Sequence, residues 1–148
     1  MKPWLYAFFL FSAASITGAE EKTGSDLKKL QGIWYPESAH LAGQPLDAAV
    51  LEMTKLILRY TNYVMVVNND TGDQGVFKIG EDKSPKQMEL IGTAGPNKGK
   101  SFPCIYKFEG DKLLICYGLD AATRPKDFKS RAGTLDCLIT YRKRKHKE

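Results

Sequence analysis

The chain has 148 residues, a formal net charge of +5, two histidines and three cysteines. This length fits one domain with its own core and excludes a second domain of ordinary size. The positive charge does not indicate a nucleic-acid-binding domain, because residues 20–141 contain 16 basic and 16 acidic side chains. Residues 142–148 contain five basic residues and one acid. We expect this basic C-terminal tail to be either a solvated chain end or a contact for polyanions.

The N-terminus has the pattern of a signal peptide. Lys2 precedes an apolar run over residues 4–14, and Ala19 is a small residue before a charged stretch. We expect cleavage near Ala19 and export to the periplasm or the extracellular space. The apolar run is too short for a stable anchor, and no later segment approaches the roughly 20 apolar residues of a transmembrane helix. The domain proper is expected to span residues 20–141.

From residue 31 onward the chain alternates apolar and polar residues in short runs separated by turn residues, as antiparallel strands do. We predict an all-β, eight-stranded antiparallel up-and-down (lipocalin-like) barrel, since closure removes exposed edges, with a two-sheet sandwich as the alternative. A short helical segment is predicted over residues 45–53, between strands 1 and 2, with Asp47 as a candidate N-cap. The predicted strands are 32–39, 55–60, 63–68, 74–80, 87–91, 102–109, 112–118 and 135–142.

Residues 94–101, AGPNKGKS, match the loose phosphate-loop pattern. A phosphate loop requires a helix that starts at its Lys-Ser pair and directs backbone N–H groups at the phosphates. Here Pro103 follows the serine closely, and residues 104–108 alternate like a strand. We therefore interpret this segment as a glycine-rich turn between two antiparallel strands.

Gly32 and Trp34 on the first strand, with Arg142 at the end of the last, resemble the lipocalin signature. In a closed barrel these two strands pair. We therefore expect Arg142 to cover the Trp34 face and close the barrel through a cation–π contact of about 1 kcal/mol. The later loops contain no Thr-Asp-Tyr motif, which is a departure from that signature.

A closer resemblance covers nearly the whole chain after the signal peptide. The segments LQGIW, AGQPL, GPNKGKSFPCIYKFEGDKLLICYG and RPKDFKSRAGT are similar to a small exported lipocalin-like domain family of unknown function that is typical of planctomycetes. The resemblance implies the barrel fold and an exported location, and it implies no function. Cys104 departs from the family pattern, which has a glycine after the proline, whereas Cys116 fits the pattern and is expected in the core.

Three cysteines in an exported chain permit one disulfide and leave an odd thiol. A two-residue turn between the sixth and seventh strands would place Cys104 opposite Tyr117. The same register places Cys116 opposite Ile105, so the two cysteines would face opposite sides of the sheet. A one-residue bulge would bring them together, and a bond between Cys116 and Cys137 is equally open. We favour a buried free thiol for at least one of the three.

The sequence supports binding better than catalysis. In an up-and-down barrel the connections after alternate strands open at one end, so residues 45–53, 68–74, 94–101 and 119–134 should share one mouth. A basic rim there would attract an anionic ligand, although lysine, proline and glycine are also ordinary loop residues. The candidate rim residues are Lys98, Lys100, Arg124, Lys126, Lys129 and Arg131.

The barrel interior is the second candidate binding site. Alternation places Tyr106, Tyr117 and Tyr141 on the inward face, where their hydroxyl groups could bind a polar ligand. An eight-stranded barrel can equally be filled by its own side chains. We therefore predict an exported, non-catalytic binding module that carries a small or anionic ligand at the mouth. The alternative is a cell-envelope interaction domain with a filled barrel that binds a protein or a polyanion.

Catalytic constellations are sparse. A Ser-His-acid triad would have to combine His40 with Ser38, and no acid lies at a suitable spacing to orient the histidine. The cysteines have no paired base. An unrecognised hydrolase is the third reading, and the sequence suggests no catalytic residue, no metal and no cofactor. Asn69 starts an NDT sequon, which is meaningful only in a host that glycosylates.

Overall fold

The structure is a computed structural model that describes residues 25–144, so the predicted signal peptide, its cleavage site and the end of the basic tail lie outside the described residues. The elements in chain order are helix α1 (Ser25–Leu30), β1 (Gly32–Leu41), β2 (Gln44–Pro45), helix α2 (Ala48–Glu52), β3 (Thr54–Arg59), β4 (Asn62–Val67), β5 (Asp70–Gly80), β6 (Gln87–Ala94), a 3₁₀ turn (Gly95–Asn97), β7 (Ser101–Glu109), β8 (Lys112–Gly118) and β9 (Asp136–Arg142).

Eight strands form a closed antiparallel barrel, as the sequence predicted. Strands β1 and β3 to β9 pair with their neighbours in chain order, and β1 also pairs with β9 to close the sheet. The short β2 extends only the end of β1, through pairs with His40 and Leu41. Helix α2 follows in the connection to β3, where the short helical segment was predicted. The sandwich alternative is excluded by the β1–β9 pairing.

Helix α1, which the sequence analysis did not predict, covers one end of the barrel. Leu30 is fully buried, and the Trp34 indole nitrogen donates a hydrogen bond to the Leu30 carbonyl at 2.8 Å. The Gln31 side-chain amide donates to the carbonyl of Tyr60, in the β3–β4 turn, at 2.9 Å. We call this the capped end. The connections β1–β3, β4–β5, β6–β7 and β8–β9 lie at the other end, the predicted mouth.

The barrel interior is filled by side chains of the protein itself. Inward-facing residues from all eight barrel strands, together with Leu30, form one hydrophobic cluster in which every member is at most 9% exposed. The largest fully buried members are Tyr63, Tyr106, Tyr141 and Phe77. Burying side chains of this size stabilises the fold by roughly 1.5–3 kcal/mol each. The core side chains therefore occupy the space in which a carrier barrel would bind its ligand.

The register of the β7–β8 hairpin is the one predicted from a two-residue turn. Cys104 pairs with Tyr117, and Cys116 pairs with Ile105, so the two cysteines point to opposite faces. Cys137 pairs with Tyr117 from the other side of β8. All three cysteines are buried free thiols, so neither of the disulfides that the sequence left open is present.

The long β8–β9 connection leaves the mouth and packs against the outer wall of the barrel. The outward-facing Cys116 thiol donates to the Lys129 carbonyl at 3.8 Å. The Lys107 ammonium group on β7 lies 4.6 Å from the centre of the Phe128 ring. Gly118 permits this close packing, because a Cβ there would overlap carbonyl oxygens of the connection and of β7. The connection therefore covers the outer face of β7 and β8.

Candidate binding sites

The predicted interior tyrosines face inward, and their hydroxyl groups bond to partners within the protein. The hydroxyls of Tyr117 and Tyr141 lie 2.7 Å apart and form a hydrogen bond. The Tyr106 hydroxyl donates to Asp26 Oδ2 at 2.8 Å. Burial raises the pKa of Tyr117 well above its ordinary value, so this hydroxyl stays protonated. The hydroxyls of Tyr117 and Tyr141 are therefore hydrogen-bonded to each other, and that of Tyr106 is hydrogen-bonded to Asp26. All three tyrosines form part of the packed core.

Asp26 ties α1 to the capped end. This residue is 3% exposed, and its carboxylate forms an ion pair with Lys86 at 2.7 Å. Its backbone N–H donates to Glu81 Oε2 at 3.0 Å. Burial acts to raise the pKa of Asp26, but the hydrogen bonds from Lys86 and Tyr106, with the Lys86 charge, lower it below the ordinary value overall. The site is fully partnered, which indicates a structural role.

Lys143, rather than Arg142, covers Trp34. The Lys143 ammonium group lies 4.7 Å from the indole ring centre, whereas Arg142 points outward and pairs with a β1 carboxylate at 2.9 Å. The prediction for Arg142 is wrong because Tyr141 faces the core, so strand alternation turns residue 142 outward and residue 143 inward. Gly32 gives the lysine room, since a Cβ there would lie 3.2 Å from Lys143 Cε.

The six predicted rim cations differ in their contacts. Arg124 donates to the carbonyl oxygen of Met88 at 2.8 Å and also to that of Cys104. Arg131 holds Asp127 through two hydrogen bonds of 2.6 and 2.8 Å. Arg124 is thus bound to the barrel wall, on which the β8–β9 connection packs, and Arg131 is bound to a carboxylate within that connection. The exposed rim lysines are Lys98, Lys100, Lys126 and Lys129.

A second group of cations lies near the capped end. The Lys29 ammonium group lies 5.7 Å from the Phe108 ring centre, and Lys143 Nζ lies 3.4 Å from the Lys29 carbonyl oxygen. The Arg144 guanidinium carbon lies 3.8 Å from the Tyr35 ring centre. Exposed cation–π contacts contribute about 0.5–1 kcal/mol each, so the rings favour one position for each charge. We call Lys29, Lys143 and Arg144 the capped-end cations.

Three surface depressions adjoin these cations. The largest, about 720 Å³, lies between α2, β1 and the segment that follows β9. A second, about 470 Å³, lies beside α1 and the β7–β8 turn. A third, about 270 Å³, lies between the end of α2 and the β4–β5 turn. All three include Arg144, and all three lie on the outer surface.

The histidine and cysteine side chains of the described residues lie in surroundings that differ from one another. Residues 25–144 contain no cluster of three or more His, Cys, Asp or Glu side chains that could hold a metal ion. His40 is exposed on β1. Burial raises the pKa of Cys116 to about 12 and that of Cys137 to about 11. These thiols are therefore protonated at neutral pH and are weak nucleophiles.

Fold and sites together define a small antiparallel β-barrel domain with a filled interior and cations on its outer surface. No family model, curated protein or solved structure matches this chain. The resemblance to the planctomycete domain family therefore stays a prediction. Between residues 25 and 144, no helix combines the length and the apolar character needed to cross a membrane.

Proposed function

We propose that this protein is an exported, non-catalytic binding module that recognises an anionic partner with the outer surface of its barrel. The filled interior is the observation that supports this proposal. Sites for drug-sized ligands typically have volumes of about 300 Å³ or more. Here the corresponding space contains Tyr63, Tyr106 and Tyr141, all at most 1% exposed. A partner is therefore expected to bind outside the barrel.

The distribution of charge favours an anionic partner. Residues 20–141 are balanced in charge, whereas the positive charge is concentrated in the segment that begins at Arg142. Two residues of that segment, Lys143 and Arg144, are held over aromatic rings at the capped end. A local excess of positive charge raises the rate at which the protein encounters anions. This effect weakens as the salt concentration increases, because salt screens the charges.

Carriage of a small ligand at the mouth, which the sequence favoured, has less support. Arg124 and Arg131 were two of the six cations proposed for that site. Arg124 instead donates to carbonyl oxygens of the barrel wall, and Arg131 is bound to Asp127. The remaining rim lysines line none of the three depressions described above.

Binding to immobilised polyglutamate and to neutral dextran tests the proposal. We expect binding to polyglutamate only, with affinity that falls between about 50 and 300 mM salt because the Debye length shortens. Two double variants with the same charge change separate a defined surface from general basicity: Lys29→Glu/Arg144→Glu at the capped end and Lys98→Glu/Lys100→Glu at the mouth. Unequal losses support a defined surface. Equal binding to both polymers would contradict an anionic partner.

A further inference from the structure

We propose that the three depressions around Arg144 form one docking groove for an extended acidic segment of a partner protein, with apolar side chains between its acids. This inference rests on the proposed function and adds the location of the site and the chemistry of the partner. The groove is continuous, its walls combine apolar and charged side chains, and aromatic rings position two of its cations.

The depressions are continuous because they share residues. Tyr35, Glu52 and Arg144 line both the 720 Å³ and the 270 Å³ depressions. Lys143 and Arg144 line both the 720 Å³ and the 470 Å³ depressions. The groove therefore extends from the β7–β8 turn at the capped end, past Tyr35, to the β4–β5 turn at the mouth. A groove along a barrel wall fits a linear chain better than a compact ligand.

The groove walls offer apolar contacts that an acidic polysaccharide would not use. Helix α2 contributes no buried residue to the fold, and its Leu51 lines the central depression beside Pro36. Met53, 45% exposed, and Val66 line the depression nearest the mouth. Aliphatic side chains of this kind contact apolar side chains, which favours a polypeptide over a sugar polymer.

The groove cations outnumber its available carboxylates. Arg144, Lys143 and Lys29 lie at the capped-end half of the groove, and Lys55 lies near its mouth end. Three carboxylates line the groove: Glu37, Glu52 and Asp111. Glu37 is already paired with Lys112 at 3.2 Å and with Arg142 at 2.9 Å, so the four cations face two other carboxylates. Acidic side chains of a peptide would therefore meet a net positive charge along the groove, with most of the excess in its capped-end half.

The aromatic rings place these cations before a partner arrives. Arg144 lies on Tyr35 and Lys143 lies on Trp34, so neither side chain has to be ordered completely on binding. Ordering a long side chain costs about 0.5–1.5 kcal/mol, and a pre-positioned cation avoids part of that cost. The two rings lie on consecutive residues of β1, so one strand sets the positions of both charges.

A fluorescent decapeptide of glutamate and leucine is the probe, and a decaglutamate peptide is the control for charge alone. We expect the mixed peptide to bind more tightly than decaglutamate, by about tenfold, since the control lacks apolar contacts with α2. Arg144→Glu and Leu51→Asp should each weaken binding of the mixed peptide by about fivefold or more. Lys98→Glu, with the same charge change at the mouth, should change the affinity by less than about twofold.

NMR chemical-shift mapping of the unaltered protein with the mixed peptide provides a readout that does not depend on any variant folding. We expect the largest shifts at Tyr35, Leu51 and Arg144. Largest shifts at Lys98 and Lys100 would overturn the groove assignment and leave the proposed function standing. Decaglutamate that binds as tightly as the mixed peptide would also overturn it, in favour of a simple polyanion site.

Two further outcomes have distinct meanings. If neither peptide binds and polyglutamate also fails, both the groove assignment and the proposed function are contradicted. If the protein forms a dimer in sedimentation experiments, and Leu51→Asp abolishes that dimer, the groove is covered by a second copy and the acidic-partner inference is wrong. Thermal melts of every variant check that losses of binding do not reflect unfolding.

Discussion

Asp26 lies in α1, a helix of only six residues. Replacing it with alanine should nevertheless destabilise the whole protein. The change leaves the buried Tyr106 hydroxyl without its acceptor, which costs about 1–3 kcal/mol. It also removes the ion pair with Lys86, whose side chain is 40% exposed, so solvent screening limits that loss to about 1 kcal/mol. We expect the free energy of unfolding at pH 7 to fall by about 2–4 kcal/mol.

The difference in free energy of unfolding between the wild type and Asp26→Ala should depend on pH. Hydrogen bonds from Lys86 and Tyr106 outweigh burial and lower the pKa of Asp26 in the folded state. A carboxyl group with a lowered folded pKa contributes stability above its unfolded pKa of about 3.9 and loses it as the pH falls through the folded value. The stability gap between the wild type and Asp26→Ala should therefore be full at pH 7 and shrink below about pH 4.

Urea denaturation at pH 7 and at pH 3, followed by far-UV circular dichroism, measures this gap. Lys28→Ala is a matched control on the exposed side of the same helix and should change stability by less than about 0.5 kcal/mol. Tyr106→Phe should lose about 1.5–3 kcal/mol, and the Asp26→Ala/Tyr106→Phe double variant should lose less than the sum of the single losses. Additive losses, or a pH-independent gap, would refute the role assigned to this carboxylate.

Three other changes test the remaining assignments. Arg124→Ala should lower the free energy of unfolding, measured by urea denaturation, by about 1–3 kcal/mol, because two wall carbonyls lose a charged donor. Lys126→Ala in the same connection is the control and should lower it by less than about 0.5 kcal/mol. Lys143→Ala should shift the fluorescence emission of Trp34, the single tryptophan after residue 19, and Arg142→Ala should leave this emission unchanged. A shift in both variants or in neither would contradict the assignment of Lys143 as the residue that covers Trp34. All three thiols should react with iodoacetamide at pH 8 at least about tenfold more slowly in the folded protein than in guanidinium, since burial raises their pKa values. Rapid native labelling of Cys104 or Cys137 would show that the barrel opens, and rapid labelling of Cys116 would show that the β8–β9 connection leaves the wall.

The barrel itself was predictable because its signals are local. Alternation of apolar and polar residues and short turn sequences marked the eight strands, and the two-residue turn at Gly110 set the register that places Cys104 opposite Tyr117. Successive residues of a strand face opposite sides of the sheet, and this alternation along β9 would have excluded Arg142 from the Trp34 face. With Tyr141 assigned to the interior, the next inward position is residue 143. That error came from following the lipocalin signature in place of the alternation.

Other features depend on contacts between distant parts of the chain. Helix α1 has only two leucines at a helical spacing, and its position depends on Asp26 meeting Lys86 and Tyr106, which lie 60 and 80 residues away. The rim prediction treated the β8–β9 connection as a loop at the mouth. Arg124 instead binds the wall, because Phe128 and the small Gly118 let the connection pack there, and Arg131 binds Asp127 within the connection.

The barrel is filled by its own side chains, and we expect its partner to bind outside. A native mass spectrum of the processed protein, taken directly from the cells that produce it, tests whether the barrel holds a ligand. We expect the mass of the polypeptide alone, with a one-to-one complex only after the mixed glutamate–leucine peptide is added. A stoichiometric small molecule that co-purifies with the protein, and that survives in the Arg144→Glu variant, would show a ligand site elsewhere and contradict the filled barrel.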